Sequence, residues 1–556
     1  MKKYEKVVNV LFGKRSLYVE LMIFIVVGIL VSLVQPVLWG YLITGLMSSK
    51  NQQGIIIISL LFVLYVLSAV FTFAQEKKEA EIKCITGFNL KEKLYMLLFN
   101  VKSNEQKKMQ SGEFIAILEH DVDEITDVCA TQLVNLVVET VKVIVILVLS
   151  FVINWKLTLI SLFIFPINLL CFCKLGTMIN KNEEELRSNI DIYYSRTQEY
   201  VNGIIGIKCL GAKEKIKDML IRTISINKKI GVKNGSVTAF GTSFVGLMDF
   251  ISLVIIYAYG FFLVKQQELT VELFIAYSSY AAILSASLMA ILQFNPVLQK
   301  IKVSLKRVEE LMKGLEKNKE IWGNKKTNRI NQSIKLEKVS FRYDDKEVLK
   351  NIEVVLPNKG IVSLVGQNGC GKTTFVEMLL RINEPDQGNI YIDDINVLEL
   401  EEESFREIFG GYLQNDFLFN MTVKENIMLA NPKVTDEEII YWAKKIGVYD
   451  KIMELPLGLD YMVSEQAKNF SGGEIQKICL LRAIVQNTRV LILDEPMSSM
   501  DIISKEKVRD VIKELSKDRL IILVSHDISD FYLADIHYQI KDGNIELTTE
   551  LCKDFD

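Results

Sequence analysis

The run Gly366-Gln367-Asn368-Gly369-Cys370-Gly371-Lys372-Thr373-Thr374 has the spacing G-x-x-x-x-G-K-T, which suits one kind of chemistry. Glycines let backbone N–H groups turn toward phosphate oxygens, Lys372 reaches the terminal phosphates, and the Thr373 hydroxyl suits Mg²⁺. A second acidic element, Asp494-Glu495-Pro496, follows the apolar run Val490-Leu491-Ile492-Leu493. Two carboxylates at the end of a buried strand can support a Mg²⁺ shell (Asp494) and orient or deprotonate an attacking water (Glu495). Between them, Ser471-Gly472-Gly473-Glu474 opens a helical stretch. Such a start offers free N–H groups to an anion, the plainer alternative being an ordinary N-cap turn.

These residues need elements to hold them. Ile361-Val362-Ser363-Leu364-Val365 reads as a buried strand leading into the phosphate loop, and Phe375 onward reads as the helix after it. From Ile334 onward the chain has the short β-rich runs of an α/β domain. Before it the composition is different. Six apolar stretches (19–42, 55–75, 132–153, 157–173, 236–264 and 273–299) each approach the roughly 20 residues that span about 30 Å of hydrocarbon. Too little polar surface remains to cover six such helices in water, so they are read as membrane spans.

Connections at 1–15, 76–130 and 174–235 carry 25 Lys and Arg residues, against one each (Lys50, Lys156, Lys265) in the other three. By the positive-inside rule, both termini and both long connections lie inside. Those connections keep apolar residues at helical spacing (Phe88, Leu90, Leu94, Leu97, Leu98) and are expected to continue the helices into the cytosol. The domains expected are 1–310 for the membrane part, 311–333 for a charged helix ending in a polar linker, and 334–556 for the α/β part.

A net charge of −3, from 65 Lys+Arg and 68 Asp+Glu, leaves no general field for nucleic acid. The eight cysteines show neither disulfide nor metal spacing, which fits a reducing interior. No signal peptide is evident. Within the spans, Glu139 and Asp249 are the acidic residues that lie deep, and both are candidates for a substrate cavity. Lys142, three residues on, can pair with Glu139, whereas Asp249 has no basic neighbour on its own helix.

The order phosphate loop, Gln414, Asn469-Phe470-Ser471-Gly472-Gly473-Glu474, Asp494-Glu495-Pro496, Ser499-Met500-Asp501 and Ser525-His526-Asp527 resembles that of the ABC transporter family. The likeness covers nearly the whole chain and points to an exporter-type half-transporter: an α-helical six-span transmembrane domain followed by an α/β P-loop ATPase domain. Segments 111–123 and 199–214 resemble the family's intracellular loops, which carry its coupling helices. The resemblance implies that Tyr343 stacks on adenine, that Gln414 senses Mg²⁺ and that His526 contacts the γ-phosphate. It also implies that Ser471, Gly472 and Gly473 complete a partner's ATP site, and that Asp501 couples the two sites. Glu474 in place of the commoner Gln, Phe470 in place of Leu, and Glu465-Gln466-Ala467 in place of Glu-Arg-Gly depart from the pattern.

ATP and Mg²⁺ are then the expected cofactors. A second half-transporter (a homodimer favoured over a heterodimer), membrane lipids and a transported substrate are the expected partners, with no nucleic acid. The location implied is a bacterial cell membrane, multi-pass, with the ATPase domain cytoplasmic. The expected activity is ATP-driven export of a peptide, lipid or amphiphilic small molecule. An importer on the same fold and an ATP-gated channel or regulator are the competing classes. With no peptidase-like stretch ahead of Tyr18, peptide cargo would be matured elsewhere.

Overall fold

A computed structural model describes residues 15–47, 51–103, 111–162 and 199–548, apart from 202, 344–345, 415, 465–466 and 468, together with isolated positions at 7, 11, 109, 189, 193, 196 and 197. It divides into two units, 1–99 with 110–317, and 100–109 with 318–556.

Apolar runs too long for a soluble core build the first unit. Its helices are α1 (Arg15–Met47), α2 (Asn51–Phe99), α3 (continuous from Ser111 to Ile153), α4 (Lys213–Lys265) and α5 (Val271–Lys317). Helix α3 contains two π-helical segments, Ile117–Asp121 and Val128–Gln132. Five helices among the described residues are long and apolar enough to cross a membrane. The fourth of the six expected spans, 157–173, lies mostly outside the described residues; its beginning, 155–162, is helical.

At 49 residues α2 is about 74 Å long at 1.5 Å per residue, more than twice the hydrocarbon thickness. The leucine spacing beyond Gln75 therefore belongs to the same helix. Leu21, Ile25, Ile29 and Leu33 of α1 recur every fourth residue and pack with Val134, Val138 and Ile146 of α3 and with Ala276, Tyr280 and Leu284 of α5. The Tyr280 hydroxyl donates to the Leu33 carbonyl at 2.5 Å, so this phenol enters an apolar core without an unsatisfied proton. A short helix, Ile204–Cys209, leaves Ile205 and nearby Leu210 exposed.

The second unit holds two sheets. The smaller, of order β2-β1-β4-β5, is antiparallel: β1 (Ser333–Tyr343), β2 (Lys346–Pro357), β4 (Gln387–Ile392) and β5 (Ile395–Asn396). The larger has the order β10-β9-β3-β8-β7-β6. Its strands are β3 (Gly360–Val365), β6 (Phe409–Tyr412), β7 (Val490–Asp494), β8 (Leu520–Val524), β9 (Ile536–Lys541) and β10 (Asn544–Leu547). All its pairings are parallel except that of β10 with β9. Every residue of β7 and β8 is buried, as parallel strands covered on both faces require. Asp494 and Leu364 both pair with Val524, so β3, β7 and β8 end side by side.

The segment read as a polar linker is fastened to this unit. Gly323 N–H donates to Leu400 O, and Lys325 N–H to Glu399 O, each at 2.9 Å. The Arg381 guanidinium lies 3.8 Å from the centre of the Trp322 ring, and Phe405 packs beside that ring. A polar composition hid this because the anchor is a single aromatic residue. Residues 100–102 join the same unit: Val101 pairs with Lys319, and Lys102 Nζ lies 2.6 Å from Glu384.

Candidate active site

The phosphate loop begins where β3 ends. Gly366 has φ +154° and its absent Cβ would lie 2.6 Å from the Ile540 carbonyl, so both conformation and space demand glycine. Gly371, at φ +113°, caps helix α6 (Lys372–Leu379), whose first N–H groups close the loop. Lys372 is buried, and its ammonium donates to the carbonyls of Gly366 (2.7 Å) and Gln367 (3.0 Å). Cys370 is half-buried within the loop.

Next to the loop, Thr373 Oγ1 donates to Asp494 Oδ2 at 3.3 Å. Asp494 is 2% exposed, and burial, reinforced by the charge of Glu495, pushes its carboxyl up to about 6. Its neighbour Glu495 takes a left-handed conformation, φ +52°, with its N–H bonded to Val524 O at 2.9 Å. A non-glycine residue held there is strained, and the buried strand pair holds it.

Both oxygens of Glu495 are occupied. Gln414 Nε2 donates to Oε2 at 2.8 Å, and His526 Nε2 lies 3.0 Å from Oε1. The structure therefore gathers Thr373, Gln414, Asp494, Glu495 and His526 at the ends of β3, β6, β7 and β8. The arrangement suits phosphoryl transfer to water, with one carboxylate held by Gln414 and His526 and a second beside the hydroxyl in the first turn of the phosphate-loop helix.

Supporting residues escaped the sequence reading. Gln476 is buried; its Nε2 donates to Glu495 O (3.2 Å) and Ser498 Oγ (2.9 Å), while its Oε1 accepts from Ser499 N–H. The available signal was a lone amide just ahead of the apolar run Ile478-Cys479-Leu480-Leu481. Behind His526, Ser525 Oγ donates to Asp530, which also accepts from Arg509 Nε, each at 2.6 Å. Nothing local marks this trio, because Arg509 comes from a different helix.

Helix α7 (Gly472–Val485) starts in a capping box. Ser471 N–H donates to Glu474 Oε2 at 2.8 Å, and Glu474 N–H donates to Ser471 Oγ. Glu474 thus fills a structural role, and a Cβ on Gly473 would meet Ser499 O at 2.9 Å. Among the described residues no hydrogen bond or ion pair joins Ser471–Gly473 to the phosphate loop of the same chain. Tyr343 donates through its hydroxyl to buried Glu377 of α6 (3.0 Å) and accepts from Asn383, with its ring partly exposed. Asp501 caps the helix Ile502–Leu515 through Ser504. Glu465 and Gln466 lie outside the described residues.

The two membrane acids are not brought together. Glu139 pairs with Lys142 at 2.7 Å. Asp249, which has no basic neighbour on its own helix, accepts a hydrogen bond from Ser285 of α5 at 2.8 Å. It borders a cavity of about 320 Å³ lined also by Ser252, Ser278, Ala282 and Phe250, and Glu139 is not in that lining.

Comparison with known proteins gives two family matches: the ABC transporter transmembrane region over residues 18–288, and the ABC transporter family over residues 349–498. A serine protease/ABC transporter B family protein, tagA, of Dictyostelium discoideum is 26% identical over 529 residues, covering 94% of this chain and 30% of that protein. A putative multidrug export ATP-binding/permease protein of Staphylococcus aureus strain NCTC 8325 / PS 47 is 28% identical over 460 residues, covering 82% of this chain and 80% of that protein. The same coverage and identity hold for its counterpart in strain COL.

Proposed function

The chain belongs to the ABC transporter family, and we propose that it is a half-transporter that exports amphiphilic cargo with energy from ATP hydrolysis. The observation that carries this reading is Glu495, strained at the end of a buried strand, with Gln414 and His526 on its two oxygens. Glu495 would orient and deprotonate the attacking water. His526 and Gln414 hold that carboxylate in place, and the loop amides with Lys372 cradle the phosphates. Mg²⁺ fits beside them, because Thr373 and Asp494 converge and a cation would favour the ionised form of Asp494. When bound it would offset negative charge on the phosphates. Among the described residues no cluster of acids, histidines and cysteines forms a ready-made metal cage, which suits an ion shared with a phosphate substrate.

A half-transporter carries one phosphate loop and one Ser471–Gly473 element, so a complete pair of sites needs two chains. With no motif missing, two copies of this chain suffice. Differential affinity of ATP for the closed pair would drive the change of access in the membrane helices. The charge asymmetry of the connections supports an orientation with both termini inside, and the apolar spans a surrounding lipid. For the cargo, the Asp249–Ser285 cavity favours a protonated amine or other lipophilic cation over an anion.

The test is ATP-dependent movement in sealed inside-out vesicles, with tetraphenylphosphonium and a fluorescent zwitterionic lipid as probes. Accumulation of either probe is expected. Loss of preloaded probe instead would replace the exporter with an importer, and hydrolysis with no movement of either would favour a channel or regulator.

A further inference from the structure

On the nucleotide unit, the end of the sheet away from the catalytic residues holds a cavity of about 1000 Å³. Its wall includes Arg489, immediately before β7, and Arg519, immediately before β8, with Arg406 and Lys433 nearby. Strand β7 spans about 17 Å at ~3.3 Å per residue, so this cavity is well separated from Glu495 at the strand's other end.

The wall is cross-linked. Arg519 Nη2 donates to Asn487 Oδ1 at 2.8 Å, and Leu520 N–H donates to Arg489 O at 3.0 Å. Asn431 Nδ2 donates to Val485 O at 3.1 Å. Asn487 itself sits at φ +58° to make its bond.

The charges are less settled than the backbone. Arg519 Nη1 is buried with no hydrogen-bond acceptor. Burial, and then the charge of Arg489, lower the Arg519 pKa from its usual value, with Asp518 acting in the opposite direction. Glu403, Glu407 and Asp518 also line the cavity, but all three are exposed and solvated. Among the described residues no ion pair joins any of them to the four cations. The half-buried Arg519 guanidinium, held by a single acceptor in Asn487, and the exposed Arg489 guanidinium line one wall, a setting that a phosphate would bridge with charge-assisted bonds.

We propose that this cavity binds a soluble diphosphate-bearing ligand and thereby modulates ATP hydrolysis. The route to the active site is covalent. The loop 486–489 ends the helix that begins at Ser471 and starts the strand that ends at Asp494. Arg519 likewise starts the strand that leads to His526. A ligand gripping both arginines would fix the roots of both catalytic strands.

The experiment uses the full chain in lipid nanodiscs carrying Lys372→Ala, which disables phosphate binding at the catalytic loop. Calorimetry with inorganic pyrophosphate and, separately, with ADP should show binding of at least one. Adding Arg489→Gln should weaken it at least tenfold, and Arg489→Lys should retain most of it. Arg489 is exposed, so this variant tests the site without disturbing the core. Binding of pyrophosphate points to the bare diphosphate, and binding of ADP alone to a nucleotide. In the Lys372-intact protein with Mg²⁺ in excess, the binding probe should change the ATPase rate at saturating ATP at least twofold, and Arg489→Gln should abolish that change. Absence of binding by both probes, binding unaffected by Arg489→Gln, or an unmoved ATPase rate would overturn the proposal. Since calorimetry reads no transport, its result stands apart from the exporter reading.

Discussion

Strand β7 buries all of its residues, while helix α1 leaves Val19, Ile23, Val26 and Leu30 between 51% and 60% exposed. Both are apolar runs, but the solvents differ. In the sheet, an apolar residue has only protein to face, so the first charged residue after the run marks the sheet's edge. In the membrane unit, apolar side chains face lipid as readily as protein, and hydrophobicity does not tell the two sides apart. Chemistry in the nucleotide unit is therefore concentrated at strand ends. In the membrane unit it depends on which helix supplies a partner.

The largest expected effect tests the concentrated end of that contrast. Glu495→Gln should retain ATP binding and lose hydrolysis by a factor of ~10² or more, since an amide can occupy the place but cannot take a proton. Single-turnover assays alongside nucleotide-binding titration check this. Hydrolysis near the parent rate would mean that the strand-end carboxylate is not the reacting group, and the contrast between the units would lose its basis.

The same contrast explains what was legible beforehand. The phosphate loop, Asp494-Glu495 and Ser471–Gly473 are contiguous, so residue type and spacing displayed them. Gln414 and His526 came through the family's order, because nothing local ties a loop glutamine to a carboxylate 81 residues away. Gln476, Arg509 and Asp530 stayed hidden, since each acts through a partner from another element. Trp322 was missed for a related reason: its anchor, Arg381, follows the phosphate-loop helix and not the linker. In the membrane unit, the long helices were legible and the Glu139–Lys142 pair followed from i,i+3 spacing. The Ser285 donor to Asp249 did not, as it belongs to the next helix.

A second, smaller effect concerns pH. The Asp494 carboxyl titrates near 6 in the fold, against 3.8 for the unperturbed group. Below pH 4 both folded and unfolded forms are protonated and no penalty exists. Between pH 4 and 6 only the folded form keeps the proton, so stability falls as pH rises, and above 6 the loss is complete. Its size is on the order of 3 kcal/mol. Asp494→Asn should therefore raise the melting temperature of the nucleotide-free protein at pH 7.5 by roughly 5–10 °C, with the gap closing toward pH 4.5. Calorimetry across that range decides it. A variant less stable than the parent at pH 7.5 would show that the ionised carboxylate is not penalised in the fold.

The smallest effect probes the dispersed end of the comparison. Tetraphenylphosphonium and tetraphenylborate have nearly the same shape and opposite charge, so they isolate the sign of the cavity. Asp249 borders that cavity through an interhelical hydrogen bond, whereas Glu139 is committed to Lys142. Asp249→Asn should raise the concentration of tetraphenylphosphonium that half-stimulates ATPase by about fivefold, the equivalent of about 1 kcal/mol. Glu139→Gln should shift it by less than twofold, because Glu139 is not in the cavity lining, although the change leaves Lys142 uncompensated. A full Coulombic contribution would be larger, but the Ser285 hydroxyl already hydrogen-bonds the carboxylate. Equal shifts in the two variants would assign the effect to general membrane charge. Stronger stimulation by tetraphenylborate in the parent protein would reverse the expected sign and remove Asp249 from cargo recognition. The fivefold-against-twofold difference is thus the measure of whether an interhelical partner, and not the acid alone, makes a membrane site.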